Sequence, residues 1–228
     1  MKTIGLIGGM SWESTIPYYR HVNTVVKQRL GGLHSARVIL YSVDFQDIEQ
    51  LQRRGDWQAA AALLSAAARS LETAGADFLV LCTNTMHKVA PAIEAAVGIP
   101  LLHIADPTAA AIKRAGFTKV GLLGTRFTMD EPFMKERLSR EGLQILTPER
   151  SDRGSVDRII YEELCQGVLA EASRAQYRSI IGRLVERGAQ AIILGCTEIS
   201  LLIAQKDSAV PLFDTTSLHA QEAGLWAL

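Results

Sequence analysis

The sequence repeats itself, and this repetition limits the possible folds more than any other feature. The run IGLIG at residues 4–8 returns as VGLLG at 120–124, and each is followed by a loop and a helical stretch. Further along, GADFLVLCTN at 75–84 aligns without gaps with GAQAIILGCT at 188–197. Because the matched segments come in the same order, the chain is predicted to consist of two similar halves.

Each half also closes in the same way. IPLL at 99–102 is similar to VPLF at 210–213, and a helical pattern follows each of them. We therefore predict two pseudo-symmetric lobes, the first formed by residues 1–98 with 213–228 and the second by residues 99–212. The loops after equivalent strands are expected to face each other across a cleft, where α/β proteins commonly bind ligands.

Short β-branched or leucine-rich runs alternate along the chain with longer helical patterns. Helices are predicted over 57–73 and 173–187, where Ala, Leu and Ile recur at helical spacing with charges on the other side. Strands are predicted at 3–7, 36–43, 78–81, 120–123 and 191–194. This alternation predicts the α/β class, with a parallel sheet flanked by helices in each lobe.

The composition argues against nucleic-acid-binding, membrane-spanning and metal-binding proteins. With 24 basic and 24 acidic side chains, the chain has no net charge to hold a nucleic acid or an anionic membrane. The longest uncharged apolar run, 59–68, is far shorter than the roughly 20 residues that span a bilayer. Three cysteines without CxxC spacing, and histidines that never recur at helical spacing, favour a reducing cytoplasm and no metal site.

The alignment of the repeats places Thr83 opposite Cys196. Racemisation needs such a pair, because one group removes the α-proton from one face and the other returns a proton to the opposite face. A thiol suits this task, since its reference pKa of about 8.5 is lowered by a helix N-terminus or nearby donors. Cys196 alone could be a small buried core residue, but its neighbours Gly195, Thr197 and Glu198 favour a site. We predict Thr83 and Cys196 as the catalytic pair.

The carbanion formed in such a reaction needs its carboxylate held. Backbone N–H groups at the helix starts after the two catalytic residues are suitable donors. Glu198 is expected to hold the substrate ammonium, because a carboxylate beside a reactive thiolate otherwise opposes ionisation of the thiol. The predicted substrate-binding residues on these two segments are Asn84, Thr85, Thr197 and Glu198.

Three short motifs give the chain a resemblance to a known family. GGM at 8–10, CTNT at 82–85 and GCTE at 195–198 resemble motifs of the aspartate/glutamate racemases, with spacing that agrees over nearly the whole chain. The longer runs GGMSWES and TNTMHK resemble the enterobacterial branch of broad-specificity amino-acid racemases. This resemblance implies an amino-acid substrate, no cofactor and a homodimer, and it implies that Met10 and Ser11 line the cleft.

The sequence departs from the family pattern in the first lobe, where Thr83 stands in place of the usual cysteine. Cys82 comes one residue earlier, and since successive strand side chains point to opposite sides, Cys82 is predicted to face the core. A hydroxyl is a much weaker acid than a thiol, so slow turnover is expected unless Thr83 is assisted. His87 is a candidate helper, and the alternative is that His87 is an exposed residue of the first helical turn.

Two further positions bear on the substrate range. The resemblance implies that racemases strict for aspartate have an arginine after the second strand and a lysine in the second lobe, and those places correspond to Gln52 and Cys165 here. The loss of two cationic side chains favours mixed polar substrates. Arg53 or Arg54 is the alternative residue for the arginine's role.

Three other functions remain open at this point. GxxGG after the first strand is an incomplete dinucleotide fingerprint, and Trp12 and Glu13 would crowd and repel a phosphate. A decarboxylase or isomerase of the same superfamily would use Cys196 alone, which fits a chain with one catalytic cysteine. A non-catalytic amino-acid-binding protein would share the two-lobed organisation.

Overall fold

The computed structural model describes all 228 residues, and the chain forms two compact units. The first comprises Met1–Ile104 with His219–Leu228, and the second comprises Ala105–Leu218. The units divide after Ile104 and Leu218, a few residues beyond the lobe limits expected at 98 and 212. Each unit contains a parallel sheet with flanking helices, so the predicted α/β class is confirmed.

The first unit has a four-stranded sheet, formed by β1 (Thr3–Gly8), β2 (Arg37–Ser42), β3 (Phe78–Leu81) and β4 (Leu101–Leu102). The strand order is β2-β1-β3-β4, and all neighbours are parallel. The helices of this unit are α1 (Trp12–Leu30), α2 (Phe45–Arg54), α3 (Trp57–Thr73) and α4 (Ala90–Glu94), with a 3-10 helix over Thr85–Val89.

The second unit repeats this plan with β5 (Lys119–Gly124), β6 (Gln144–Leu146), β7 (Ala191–Gly195) and β8 (Leu212–Asp214), in the order β6-β5-β7-β8. Its helices are α5 (Ala105–Arg114), α6 (Arg126–Asp130), α7 (Pro132–Arg140), α8 (Arg150–Glu162), α9 (Glu171–Glu186) and α10 (Ile199–Leu202), with 3-10 helices over Leu164–Gln166 and Gln205–Asp207. The last helix, α11 (Thr215–Trp226), begins in this unit, and its residues from His219 onward belong to the first.

The pairing registers of the two sheets follow the sequence repeat residue by residue. Leu79 pairs with Leu101 in the first sheet, and Ile192 pairs with Leu212 in the second. The first repeat segment matches Leu79 with Ile192, and the closing segment matches Leu101 with Leu212. The ends of β3 and β7 are therefore equivalent positions in two equivalent sheets.

The helix α3 shows how the sequence specifies the flanking helices. It spans the predicted residues and begins after Asp56, whose carboxylate accepts a hydrogen bond from the Ala59 N–H at 3.0 Å. Leu64, Ala68 and Leu71 lie on one face and are buried against the sheet side of the unit. Each leucine buried in this way contributes about 2 kcal/mol through loss of apolar surface from water.

The other predicted elements agree with the structure, and three strands were not predicted. All five predicted strands are present, and the predicted helix at 173–187 is α9. The strands β4, β6 and β8 were outside the prediction because each is an edge strand of only two or three residues, too short to show an apolar pattern. None of the helices combines the length and apolar character that a membrane span requires.

Candidate active site

Thr83 and Cys196 lie just beyond the carboxyl ends of β3 and β7, which are inner strands of their sheets. Thr83 is 7% exposed and Cys196 is 6% exposed. At the carboxyl end of an inner parallel strand, a side chain is flanked by the loops that follow the neighbouring strands. Each unit thus presents one candidate proton carrier at the same position of its sheet.

The backbone of Thr83 is held by hydrogen bonds within the first unit. Its N–H donates to the Leu81 carbonyl at 2.8 Å, and its carbonyl lies 2.7 Å from His87 Nδ1. His87 is buried inside the 3-10 helix that follows, so the interpretation of His87 as an exposed residue is wrong. Asn84 and Thr85, the other residues expected to bind substrate here, are also buried.

Cys82 faces the core, as predicted from strand alternation. Its side chain is fully buried in a cluster that includes Ile4, Val80 and Leu102. Burial raises the pKa of the Cys82 thiol far above its usual range. A thiol in such a setting remains protonated and inert, which leaves Thr83 as the polar side chain at this strand end.

In the second unit, the thiol of Cys196 is bonded to a neighbouring carboxylate. Cys196 Sγ donates to Glu198 Oε2 at 3.0 Å, and Thr197 Oγ1 donates to the same oxygen at 2.7 Å. All three residues are buried. Because both donors converge on Glu198, the structure holds Cys196 as a thiol and Glu198 as an acceptor.

The expected lowering of the Cys196 pKa is not found in the substrate-free chain. Burial raises the pKa of this thiol well above its usual value, and the carboxylate of Glu198 raises it further. The helix that follows, α10, has only four residues, which give it a weak dipole. Burial and the Glu198 carboxylate therefore both oppose ionisation of Cys196 in the substrate-free chain.

Comparison with known proteins identifies the family of the chain. The sequence profile described as Asp/Glu/hydantoin racemase matches residues 7–223. The chain belongs to this racemase family. A Yersinia pestis protein provisionally described as an Asp/Glu racemase is 61% identical, covers 100% of this chain and 99% of its own, and superposes with a TM-score of 0.92.

Two further relatives of this racemase chain extend the comparison. An aspartate racemase homologue from Pyrococcus horikoshii OT3 is 33% identical, with coverage of 100% of this chain and 99% of its own and a TM-score of 0.85. The broad-specificity amino-acid racemase RacX of Bacillus subtilis (strain 168) is 23% identical over 228 residues, which cover 96% of this chain and 95% of RacX. The resemblance inferred from the motifs is confirmed, and it supports a racemase activity.

The second glycine of the GGM motif, Gly9, is required by the conformation of the backbone at this turn. Gly9 has a φ of +90°, and a Cβ at this position would lie 2.3 Å from the Val43 carbonyl oxygen. The chain then turns into α1, where the Ser11 carbonyl accepts hydrogen bonds from Ser14 and Thr15. Met10 and Ser11 are both buried in the first unit, next to the end of β1.

Gln52 lies beside the segment that follows Thr83. It is buried on α2, and its Nε2 donates to Met86 Sδ at 3.0 Å. Arg53, the alternative residue for a cationic role, has a side chain that is 76% exposed and pairs with Glu49. Arg54 is also exposed, so neither guanidinium shares the buried position of Gln52.

Cys165 lies in the second unit with Cys196. It is half-buried in the 3-10 helix Leu164–Gln166 and packs against the hydrophobic cluster that contains Cys196. Cys165 is also among the groups that influence the pKa of Cys196. No group of three or more His, Cys, Asp or Glu side chains in the chain could hold a metal ion.

Two histidines for which the sequence predicted no role, His103 and His219, lie beside His87. The ring centroid of His103 lies 4.3 Å from that of His87, and the centroid of His219 lies 5.8 Å from it. His219 comes from α11, more than one hundred residues away in the chain. The three histidines are not spaced at a helical period, so no sequence pattern indicates that they come together.

Proposed function

We propose that this racemase-family chain interconverts the enantiomers of amino acids without a cofactor, with Thr83 and Cys196 as the two proton carriers. The main supporting observation is their equivalent placement at the ends of β3 and β7. Racemisation requires two groups that reach one α-carbon from opposite faces, and a repeated fold supplies a matched pair of strand ends. The proposal requires that both strand ends reach the same substrate molecule.

On the Cys196 side, Glu198 explains how a buried thiol takes part in proton transfer. When Cys196 acts as an acid, its proton passes to the carbanion and leaves a thiolate beside Glu198. A substrate ammonium bound by Glu198 offsets that negative charge and lowers the pKa of the thiol only when substrate is present. The reverse step starts from that same thiolate, which takes the α-proton and becomes the thiol that is hydrogen-bonded to Glu198 at 3.0 Å.

On the Thr83 side, the proton carrier is a hydroxyl, whose alkoxide is difficult to form near neutral pH. Thr83 donates a proton more readily than it accepts one, so we expect slow turnover. Two enantiomers have the same free energy in water, and kcat/KM must therefore be equal in the two directions. The difference between Thr83 and Cys196 is expected to appear in kcat and KM separately.

The buried polar residues beside the two carriers are assigned to substrate binding. Asn84, Thr85 and Thr197 are each at most 5% exposed and follow the strand ends directly. Hydrogen-bond donors at such positions stabilise the negative charge that develops on the substrate carboxylate in the transition state. The remaining contacts to substrate are assigned to Met10, Ser11, Gln52 and Cys165.

The proposed substrate range is broad. Gln52 and Cys165 are uncharged at the positions where the resemblance implies a cationic pair, and Arg53 is exposed and paired with Glu49. An amide and a thiol accept polar side chains of several kinds, whereas a bidentate guanidinium selects a carboxylate. We therefore expect activity toward several polar amino acids and not toward aspartate alone.

Deuterium exchange tests this proposal and its competitors. The wild-type protein is incubated in D2O with each enantiomer of the common amino acids, and α-deuteration and chirality are followed by proton NMR and chiral chromatography. A racemase yields deuterated product of the opposite configuration. Release of CO2 would identify a decarboxylase, and an unchanged ligand that binds in calorimetry would identify a sensor, and either result would refute the proposal.

We further propose that the protein acts as a homodimer in the reducing cytoplasm. Three large side chains on one face of α1 are exposed: Trp12 at 62%, Ile16 at 50% and Tyr19 at 61%. A second copy of the chain is the partner that would cover this apolar face. Sedimentation analysis should show a dimer for the wild-type protein and a shift toward monomer for Ile16→Asp, and a monomeric wild type would contradict this proposal.

A further inference from the structure

His87 connects two main-chain segments of the first unit through its two ring nitrogens. Its Nδ1 lies 2.7 Å from the carbonyl oxygen of Thr83, and its Nε2 accepts a hydrogen bond from the Ile104 N–H at 3.2 Å. The side chain is buried, with 2% of its surface exposed. His87 therefore joins the loop after β3 to the loop after β4.

These two contacts determine the form of the imidazole. A carbonyl oxygen can only accept, so Nδ1 must bear the proton that is donated to Thr83. A backbone N–H can only donate, so Nε2 must be the unprotonated acceptor. His87 is thus held as the neutral Nδ1–H tautomer, and neither nitrogen is in a state to remove a proton from the Thr83 hydroxyl.

The contact with Thr83 restrains the residue that bears the hydroxyl. The Thr83 N–H donates to the Leu81 carbonyl, and the Thr83 carbonyl accepts a hydrogen bond from His87. Both backbone groups of Thr83 are therefore fixed. The direction of a side chain follows from the backbone that holds it. The placement of the Thr83 hydroxyl therefore depends on His87.

The other end of this connection is also fixed. His219 Nε2 lies 2.8 Å from the Leu102 carbonyl, and the Tyr18 hydroxyl lies 2.9 Å from His219 Nδ1. Leu102 and Ile104 are two residues apart on the segment that leaves β4. The main chain that His87 contacts is thus held by a second buried histidine, which makes it a rigid point of attachment.

The second unit has no such connection at the matching position. When the alignment of 75–84 with 188–197 is continued by three residues, His87 matches Ser200, whose hydroxyl donates to the Thr197 carbonyl at 3.2 Å. The Cys196 carbonyl instead accepts from the Ile199 N–H at 3.1 Å. A histidine bridge is therefore found only at the strand end that presents a hydroxyl.

We propose that His87 is the positioning residue for Thr83, and that it restrains the hydroxyl for proton transfer to one face of the substrate. This proposal rests on the proposed racemase function. A weak acid such as a hydroxyl needs accurate placement, because a displacement of about 1 Å can cost on the order of 100-fold in rate. The Cys196 half of the reaction should not depend on His87.

Separate measurement of the two half-reactions tests this role. Cys196 alone can remove an α-proton, exchange it with D2O and return deuterium to the same face, so one enantiomer should exchange with retention of configuration. For His87→Leu we expect racemisation to fall on the order of 100-fold, while this exchange stays within about threefold of the wild-type rate. The substrate is the amino acid that the wild-type protein racemises fastest in the panel above.

Conservative replacements distinguish positioning from a general loss of structure. His87→Asn places an amide donor near the position of Nδ1 and should recover much of the racemisation, whereas His87→Gln, whose amide reaches toward Ile104, should recover less. Ser65→Ala is the matched control, because it removes a buried side-chain hydrogen bond to the Ala92 carbonyl in the same unit but lies outside the connection between His87, Ile104 and His219. It should lower stability without separating racemisation from exchange. If His87→Leu does not fold, the order of the Asn and Gln variants decides the question.

A double-mutant cycle supplies the decisive result. If His87 acts only through Thr83, then adding His87→Leu to Thr83→Ala should not reduce the remaining Cys196 exchange further. An additional loss of exchange in that background, or equal losses of exchange and racemisation in His87→Leu alone, would overturn the positioning role while leaving the racemase proposal intact. A wild-type protein that exchanges no amino acid would overturn both proposals.

Discussion

The ends of β3 and β7 occupy the same position in two matching sheets, yet they are built from different chemistry. At the end of β3 the proposed proton carrier is a hydroxyl, and a histidine fixes its backbone. At the end of β7 the proposed carrier is a thiol, and a carboxylate two residues away contacts its side chain directly. The comparison shows that a repeated fold places two polar groups at equivalent positions, while the groups that contact them differ between the two halves.

The two problems differ in kind. The thiol of Cys196 has an intrinsically suitable pKa that burial and Glu198 raise, so the obstacle is electrostatic and a bound cation can relieve it. The hydroxyl of Thr83 is a weak acid in any surroundings, so accurate placement is what its neighbours can provide. The predictions below test this division of roles.

The largest effect is expected from removal of the thiol. Cys196→Ala should lower both racemisation and deuterium exchange by 10³-fold or more, because exchange without inversion depends on this residue. The rates are measured in D2O with both enantiomers. Cys82→Ala is the control, since Cys82 is buried in the core and should affect stability but not exchange. Full activity in Cys196→Ala would contradict the assignment.

Replacement of Thr83 should distinguish the contribution of the end of β3 from that of the end of β7. Thr83→Ala is expected to lower racemisation by about 10²-fold or more while exchange with retention continues from the Cys196 side. Thr83→Cys, which makes the two ends chemically alike, should retain racemisation and change the separate kcat values. If Thr83→Ala leaves racemisation unchanged, Thr83 is not a proton carrier, and the end of β3 has no role in catalysis comparable to that of the end of β7.

Glu198→Gln tests whether the negative charge of Glu198 limits ionisation of the Cys196 thiol. Loss of the carboxylate charge should lower the pKa of Cys196, so alkylation of this residue by iodoacetamide at pH 8 should accelerate about tenfold. Mapping of the alkylated peptide by mass spectrometry separates Cys196 from Cys165. The KM for substrate should rise, since the proposed ammonium partner is lost. Thr197→Val keeps the Glu198 charge and should not accelerate alkylation.

The smallest effect concerns the segment that follows Cys196. Asp207 accepts hydrogen bonds from the Ala204 N–H, Arg178 and Arg174, and Arg174 also donates to the Leu202 carbonyl at the end of α10. The Ala204 N–H and the two guanidinium groups lower the pKa of Asp207 to about 2. Asp207→Asn should therefore reduce the free energy of unfolding by on the order of 2 kcal/mol at pH 7 without changing exchange.

The pH dependence of this stabilisation has a definite sign. A carboxyl with a lowered pKa stabilises the folded state above its unfolded value of 3.8, and this contribution disappears as the pH falls toward 2. The difference between wild type and Asp207→Asn in urea denaturation should therefore shrink between pH 5 and pH 3. Asp152→Asn, which breaks an ion pair with Arg183 at a carboxylate that is more exposed than Asp207, is the control and should cost less than about 1 kcal/mol.

The sequence predicted more of the scaffold than of the chemistry. The inward orientation of Cys82 followed from strand alternation, and the match between Thr83 and Cys196 agrees with the registers of both sheets. The burial of His87 did not follow, because a polar residue after a strand is as common on the surface as in a site. The raised pKa of Cys196 did not follow either, since it depends on how completely the thiol is buried.

The sequence by itself determined the duplicated α/β plan and the equivalence of two strand ends, because periodicity and internal repeats are local patterns in the chain. Only the tertiary structure decided which groups contact those ends. The link from His87 to Ile104, and the anchoring of Leu102 by His219 and Tyr18, join residues from separate elements. Hydrogen bonds of this kind depend on distance and direction in the folded chain, which no local spacing of residue types specifies.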